Sequence, residues 1–240
     1  MQICINFKGD GIKLPIATGE TIQGLIYHAL KEDPCFSAKV HDEGNSFEGR
    51  KYKLMTFGEL KGRYTIEGKT INYLQSAALE LRSANDYVIQ LLFTYFTKNK
   101  AVRLGNNDVV VDGLSLINKT VFAHRLTVRT LSPITAYVTE ENGYTRYFSP
   151  EDEEFYSMTV SNARRKWKSL YGTEEGFDFK ISPLEGTRFI KRATRFKDTF
   201  ITAWHGSFVL EGSPETLNFL YNTGIGSKNS QGFGMFEVIE

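Results

Sequence analysis

At the start of the chain apolar and polar residues alternate, Ile3, Ile5 and Phe7 against Gln2, Cys4 and Asn6. A period of two predicts a strand with one face on a core. The period then changes to helical spacing in Ile22, Leu25, Ile26, Ala29 and Leu30, with Thr21 as the cap and Pro34 as the stop. A polar loop over 41–49 leads to a strand over 51–57, and β-like stretches follow at 63–67 and 70–81. A second helical stripe, Val88, Leu91, Leu92, Tyr95 and Phe96, covers 85–98, and 109–111 with 114–117 closes the unit as a strand. The order then repeats. A strand over 121–129 precedes a helix over 149–170, with Pro150 at its first position, acids in its first turn and a stripe of Tyr156, Val160, Ala163, Trp167 and Leu170. A two-stranded hairpin over 188–196 and 199–210, a short helix from Ser213 to Tyr221 and a strand over 235–239 complete the chain.

Strand, helix, two strands, helix, strand is the order of a split βαβ unit. The expected fold is therefore α+β: two tandem ferredoxin-like (βαββαβ) domains, 1–118 and 119–240, the second carrying a C-terminal glycine-rich loop. The repeat lies in element order alone. A chain of 240 residues, 41% hydrophobic and 24% charged, can build real cores, which excludes disordered, collagen-like and coiled-coil classes. The opening residues lack the basic leader and cleavage site of a signal peptide. No stretch approaches the ~18 apolar residues that span a bilayer. A soluble, cytoplasmic protein without a membrane partner is expected. Cys4 and Cys35 are too few for a disulfide framework or a cysteine zinc site, and no His, Asp and Glu spacing suits a metal, so no metal or cofactor is expected.

With 29 basic and 28 acidic side chains, only the local distribution of charge can point to a polyanion. Ten Lys or Arg stand against four acids between Ser161 and Lys197. Arg164, Arg165, Lys166 and Lys168 end a helix that begins with acids, and dipole complementarity accounts for them. Arg188, Lys191, Arg192 and Arg195 share one hairpin strand with no acid between them, which makes a basic face. The most specific segment is Gly224-Ile-Gly226-Ser-Lys228-Asn229-Ser230-Gln-Gly232-Phe-Gly234. Its glycines permit positive φ and close backbone approach. Their N–H groups, with Lys228, Asn229 and Ser230, could line a phosphate backbone; a glycine-rich turn without a ligand is the alternative. No helix follows and no Gly-Lys-Ser/Thr is present, so neither a dinucleotide fingerprint nor a Walker loop is read here.

That segment, just ahead of a final strand, resembles the glycine-rich loop of the Cas6 family, the CRISPR repeat-cleaving endoribonucleases. The likeness continues through Gly24-Leu-Ile-Tyr27, Lys53-Leu-Met-Thr56, Thr130-Leu-Ser-Pro-Ile134, Glu154-Phe-Tyr-Ser157 and Thr202-Ala-Trp-His205, in the family's order. The resemblance implies metal-independent cleavage of precursor CRISPR RNA within each repeat. A base takes the proton of a ribose 2′-OH, that oxygen attacks phosphorus, and an acid protonates the departing 5′-oxygen, leaving a 2′,3′-cyclic phosphate (or 3′-phosphate) and a 5′-OH. It also implies a Tyr–His–Lys trio, which falls on Tyr27, His41 and Lys53, and a hairpin that contacts RNA near the cut. Tyr27 lies off its apolar stripe with Gln23 and Lys31, as a groove-facing residue should. His28 and Lys51 are the alternatives to His41 and Lys53, since Lys51 and Lys53 alternate along one strand face. His124 and His205 fall within strands and read as structural. The partners implied are CRISPR repeat RNA, subunits of a Cascade-type effector complex and a second copy of the chain. A non-catalytic repeat-binding subunit would keep the loop and hairpin but have no use for the histidine, and a metal-dependent nuclease would be silenced by EDTA.

Overall fold

The computed structural model describes residues 1–34, 36, 45–197 and 199–240. The first half runs β1 (Gln2–Lys8), β2 (Ile12–Pro15), α1 (Gly19–Leu30), β3 (Asn45–Phe47), β4 (Arg50–Tyr52), β5 (Met55–Phe57), β6 (Tyr64–Glu67), β7 (Thr70–Tyr73), β8 (Ser76–Ser83), α2 (Asp86–Lys98), β9 (Ala101–Leu104) and β10 (Asn107–Ile117). The second runs β11 (Arg125–Thr130), β12 (Tyr137–Thr139), β13 (Thr145–Tyr147), α3 (Glu153–Tyr171), β14 (Phe179–Pro183), β15 (Ile190–Phe196), β16 (Thr199–His205), β17 (Ser207–Gly212), α4 (Pro214–Thr223) and β18 (Phe236–Val238). A short 3₁₀ turn, Asn229–Gln231, precedes β18.

Two antiparallel sheets carry the molecule, ordered β5-β8-β1-β10-β9 and β14-β17-β11-β18. In the first, β1 lies between β8, which precedes α2, and β10, the second strand after it; in the second, β11 lies between β17, which precedes α4, and β18, which follows it. Ile3, Ile5 and Phe7 are buried as their alternation predicts, and so is the whole apolar stripe of α1. That helix starts at Gly19, with Thr18 rather than Thr21 at its cap position. Asn85 caps α2 by accepting the Tyr87 N–H at 3.0 Å, and Ser213 caps α4 by accepting the Thr216 N–H at 3.2 Å.

Three expected elements are cut differently. The helix predicted from 149 starts only at Glu153, because Asp152 accepts the Ser149 N–H at 2.6 Å and Ser149 accepts the Glu151 N–H at 3.2 Å. Short polar side chains that bind neighbouring N–H groups hold a turn in place of a helix. The buried face of α3 is Phe155, Thr159, Ala163, Lys166 and Trp167. The strand expected over 199–210 breaks at Gly206 into β16 and β17, which join different sheets. A Cβ at Gly206 would lie 2.4 Å from the Phe189 ring, so a side chain there would have to displace that ring. The strand expected over 51–57 breaks at Leu54, whose φ of +47° separates β4 from β5. Lys51 and Lys53 therefore do not share one strand face. His124 lies just ahead of β11 rather than in it, its Nδ1 3.2 Å from the Gly212 carbonyl.

Each half has its own core, but the second core also takes in Tyr52 and Leu54 from the first half. Arg82, on β8 and only 2% exposed, joins the halves. Its guanidinium donates to the carbonyls of Phe236 at 2.7 Å and Tyr221 at 3.4 Å, pairs with Glu80 and lies 3.7 Å over the Tyr221 ring. Among the described residues no helix is long and apolar enough to cross a membrane.

Candidate nucleic-acid interface

The glycine-rich segment connects α4 to β18 and is gripped by one row of side chains from each half. On α1 the row is Gly19, Gln23 and Tyr27, spaced at i, i+4 and i+8 and so on one face. Gly19 lets the loop come so close that a Cβ there would stand 2.7 Å from the Gln231 carbonyl oxygen. Gln23 donates to the Ser230 carbonyl at 2.8 Å, and the Tyr27 phenol lies within reach of the Ser230 hydroxyl. On α3 the row is Asn162 and Lys166. Asn162 reaches the Ser227 hydroxyl at 3.4 Å, and Lys166 donates to loop oxygens at 2.5 and 2.9 Å. Beneath the loop Thr56 of β5 donates to the Phe233 carbonyl at 3.2 Å.

The glycines do other work than expected. Gly224, Gly226, Gly232 and Gly234 all have positive φ, and the first, second and fourth are buried. The N–H groups of Gly224, Ile225, Ser227, Gln231, Gly232 and Gly234 donate to carbonyls of the protein itself, so they are not aimed at a phosphate. At Gly234 a Cβ would sit 1.8 Å from the Ile225 carbonyl oxygen. The glycines fold the loop, and its polar side chains border the space beside it.

Those side chains line a cleft of about 430 Å³ at the seam, walled by Arg50, Lys51, Lys53, Lys166, Ser227, Lys228, Ser230 and Gln231 among others. Among the described residues its lining holds five cationic groups and no carboxylate. Lys228 lies 4.9 Å over the Tyr137 ring on the rim. Asn229, expected to meet RNA, is buried and ties the loop together instead. Burial pushes the Tyr27 phenol up to about 12, against the Ser230 hydroxyl, which pulls it down. His41 lies outside the described residues. His28 points elsewhere: it is exposed and packs edge-to-face on Tyr95 of α2, with ring centres 5.9 Å apart.

The basic hairpin, β15 paired with β16, stands apart from the four-stranded sheet. Arg188, Lys191, Arg192 and Arg195 are all exposed. Arg192 and Arg195 line a second groove with Tyr64, Ile66 and Tyr73, and Gln231 belongs to both this groove and the seam cleft. The two grooves thus meet at Gln231, and the hairpin groove also takes in Glu59. The basic end of α3 is engaged locally: Arg164 over Phe177, Arg165 with Glu48, Lys168 with Glu174. Among the described residues no three of His, Cys, Asp or Glu come together as metal ligands could.

A family model for the C-terminal part of the CRISPR-associated protein Cas6 matches residues 117–238, just over half of the chain. The chain belongs to the Cas6 family. Its relatives include the CRISPR-associated endoribonuclease Cas6 of Pyrococcus furiosus, 26% identical over 238 residues, covering 96% of this chain and 86% of the relative. Its fold is that of a solved Cas6-related protein from Pyrococcus furiosus, with a TM-score of 0.86 at 21% identity, covering 100% of this chain and 98% of that one. A RAMP protein described as binding different RNA substrates superposes with a TM-score of 0.83 at 23% identity over 100% of both chains. In this Cas6-family chain two side chains escape a reading of the sequence. Lys166 passes for one of a run of helix-end cations, although it lies on the stripe Phe155, Thr159, Ala163. Arg82 gives no signal of its role, because the carbonyls it joins are 139 and 154 residues away.

Proposed function

We propose that this chain is an endoribonuclease that cuts precursor CRISPR RNA within its repeats, without a metal, leaving a 2′,3′-cyclic phosphate (or 3′-phosphate) and a 5′-OH. The observation that carries this reading is the meeting of Tyr27 and the glycine-rich loop, through Ser230, beside a cleft lined by Lys51, Lys53 and Lys228. With its phenol at about 12, Tyr27 is protonated at neutral pH and has its hydroxyl proton to donate. Donating suits it to the departing 5′-oxygen or to holding the reacting phosphate. The base is then His41, since an ordinary imidazole, near 6.5, is free to take the 2′-OH proton. Lys53, with Lys51 in reserve, offsets the charge that builds on the phosphate oxygens. Holding the 2′-oxygen in line with its leaving group supplies the remainder of the rate. The exposed Arg188, Lys191, Arg192 and Arg195 take the flanking backbone, with Lys228 and Ser230 at the cleft rim; Gly224, Gly226, Gly232, Gly234 and Asn229 shape the loop that presents them. The strand order of the two sheets supports tandem ferredoxin-like domains, 1–118 and 119–240, with the RNA held at their seam.

End-labelled repeat RNA incubated with the protein in excess EDTA tests this. A discrete cut with 5′-OH and 2′,3′-cyclic phosphate ends is expected. Loss of cutting in EDTA, or 5′-phosphate ends, overturns the chemistry, and tight binding without any cut makes the chain a repeat-binding subunit.

A further inference from the structure

Lys166 lies in the middle of α3 and is 3% exposed. Burying an ammonium is costly unless each N–H finds an acceptor, and an apolar side chain of the same length fills such a space more easily. Here all three acceptors belong to one segment: the Gly224 carbonyl at 2.5 Å, the Asn229 Oδ1 at 2.9 Å and the Thr223 carbonyl at 3.5 Å. Asn229 extends the brace, donating to the carbonyls of Ile225 at 2.9 Å and Phe233 at 3.0 Å. One ammonium and one amide thereby hold both ends of the glycine-rich loop. The next residue is Ser230, whose side chain meets the Tyr27 phenol and whose carbonyl is held by Gln23.

We infer that Lys166 is a positioning residue for RNA cleavage: through Asn229 it fixes Ser230, and Ser230 fixes the Tyr27 phenol against the scissile phosphate. The inference rests on the role of Tyr27 proposed above. Lys166 borders the cleft but is 3% exposed, and its three hydrogen-bond acceptors are the Thr223 and Gly224 carbonyls and Asn229 Oδ1, so its ammonium is spent on the segment it braces.

The test combines Lys166→Met, Ser230→Ala and Tyr27→Phe, singly and in pairs, read by single-turnover cleavage at saturating repeat RNA well below each variant's unfolding midpoint. Affinity is read with a repeat that is 2′-deoxy at the scissile nucleotide. Lys166→Met is expected to slow cleavage ~10²-fold, the scale of a misplaced catalytic group, with affinity largely kept. In a Tyr27→Phe background it should add nothing. Without RNA, the amides of Ile225, Gly232 and Gly234 should exchange hydrogen faster in Lys166→Met. A folded Lys166→Met that cuts at the wild-type rate, or whose loss multiplies fully with that of Tyr27→Phe, overturns the inference. If Lys166→Met does not fold, Ser230→Ala must show the same non-additivity with Tyr27→Phe, and full additivity overturns the inference. If the wild-type protein cuts no repeat RNA, the proposed function falls, and unchanged exchange in the loop separately refutes the brace.

Discussion

A phenol at about 12 and a buried ammonium at about 7 grip the same loop from opposite sides. Desolvation moves both, disfavouring phenolate in one and ammonium in the other. For Lys166 the folded value lies below the ordinary 10.5, so between about 7 and 10.5 the unfolded chain binds more protons than the folded one. Stability from this group is therefore full above 10.5 and lost as pH falls towards 7. The unfolding free energy of wild type relative to Lys166→Met should accordingly rise from pH 7 to pH 10, as measured by parallel urea titrations. The neighbouring cations separate by geometry: Lys53 sits at the Leu54 kink, and Lys51 is on β4 before it. Lys53→Ala is expected to slow single-turnover cleavage ~10²-fold and Lys51→Ala much less; the reverse ranking would exchange their roles. The place of Tyr27 off the apolar stripe was legible at this scale because Gln23 and Lys31 mark the polar side of its helix. Lys166 was not, since a lysine in a cationic run reads as solvated until a partner loop 57–63 residues away is folded over it.

Elements whose signals are local came through the sequence well. The helix starts at Asn85 and Ser213, the stripe of α1 and the alternation of β1 need only near neighbours, whereas the cap read at Thr21 falls at Thr18. The breaks at Leu54 and Gly206 are set by what packs on them, so no periodicity announces them. The glycine-rich loop is intermediate: its composition marks it, but its internal hydrogen bonds appear only in three dimensions. Gly234→Ala should be among the most damaging single changes, because φ is +72° and the added carbon would overlap a backbone oxygen that cannot swing away. Differential scanning fluorimetry should show a collapsed or absent transition. The hairpin makes a different prediction. If Arg192 and Arg195 each meet one phosphate of single-stranded RNA, the double change to Gln should flatten the slope of log affinity against log salt by ~1.4. An unchanged slope would take the hairpin off the RNA path.

At the scale of the whole molecule the halves are cross-linked rather than merely adjacent. Arg82→Leu would strip two carbonyls of their donor and leave Glu80 with Lys61 alone, and removing one member of a buried ionic cluster costs ~3–5 kcal/mol. A loss of that order in the unfolding free energy from urea titration, still in one transition, is expected. The element order that suggested two repeats was readable along the chain, whereas the contacts that weld them join residues from opposite ends. Tyr52 and Leu54 show what this entails, since both leave the first half to sit in the second half's core. Severing the polypeptide between 118 and 119 would deprive the carboxy-terminal fragment of two of its own plugs. Either fragment synthesised alone should misfold, while the pair expressed together should snap into a split protein that copurifies without any tether.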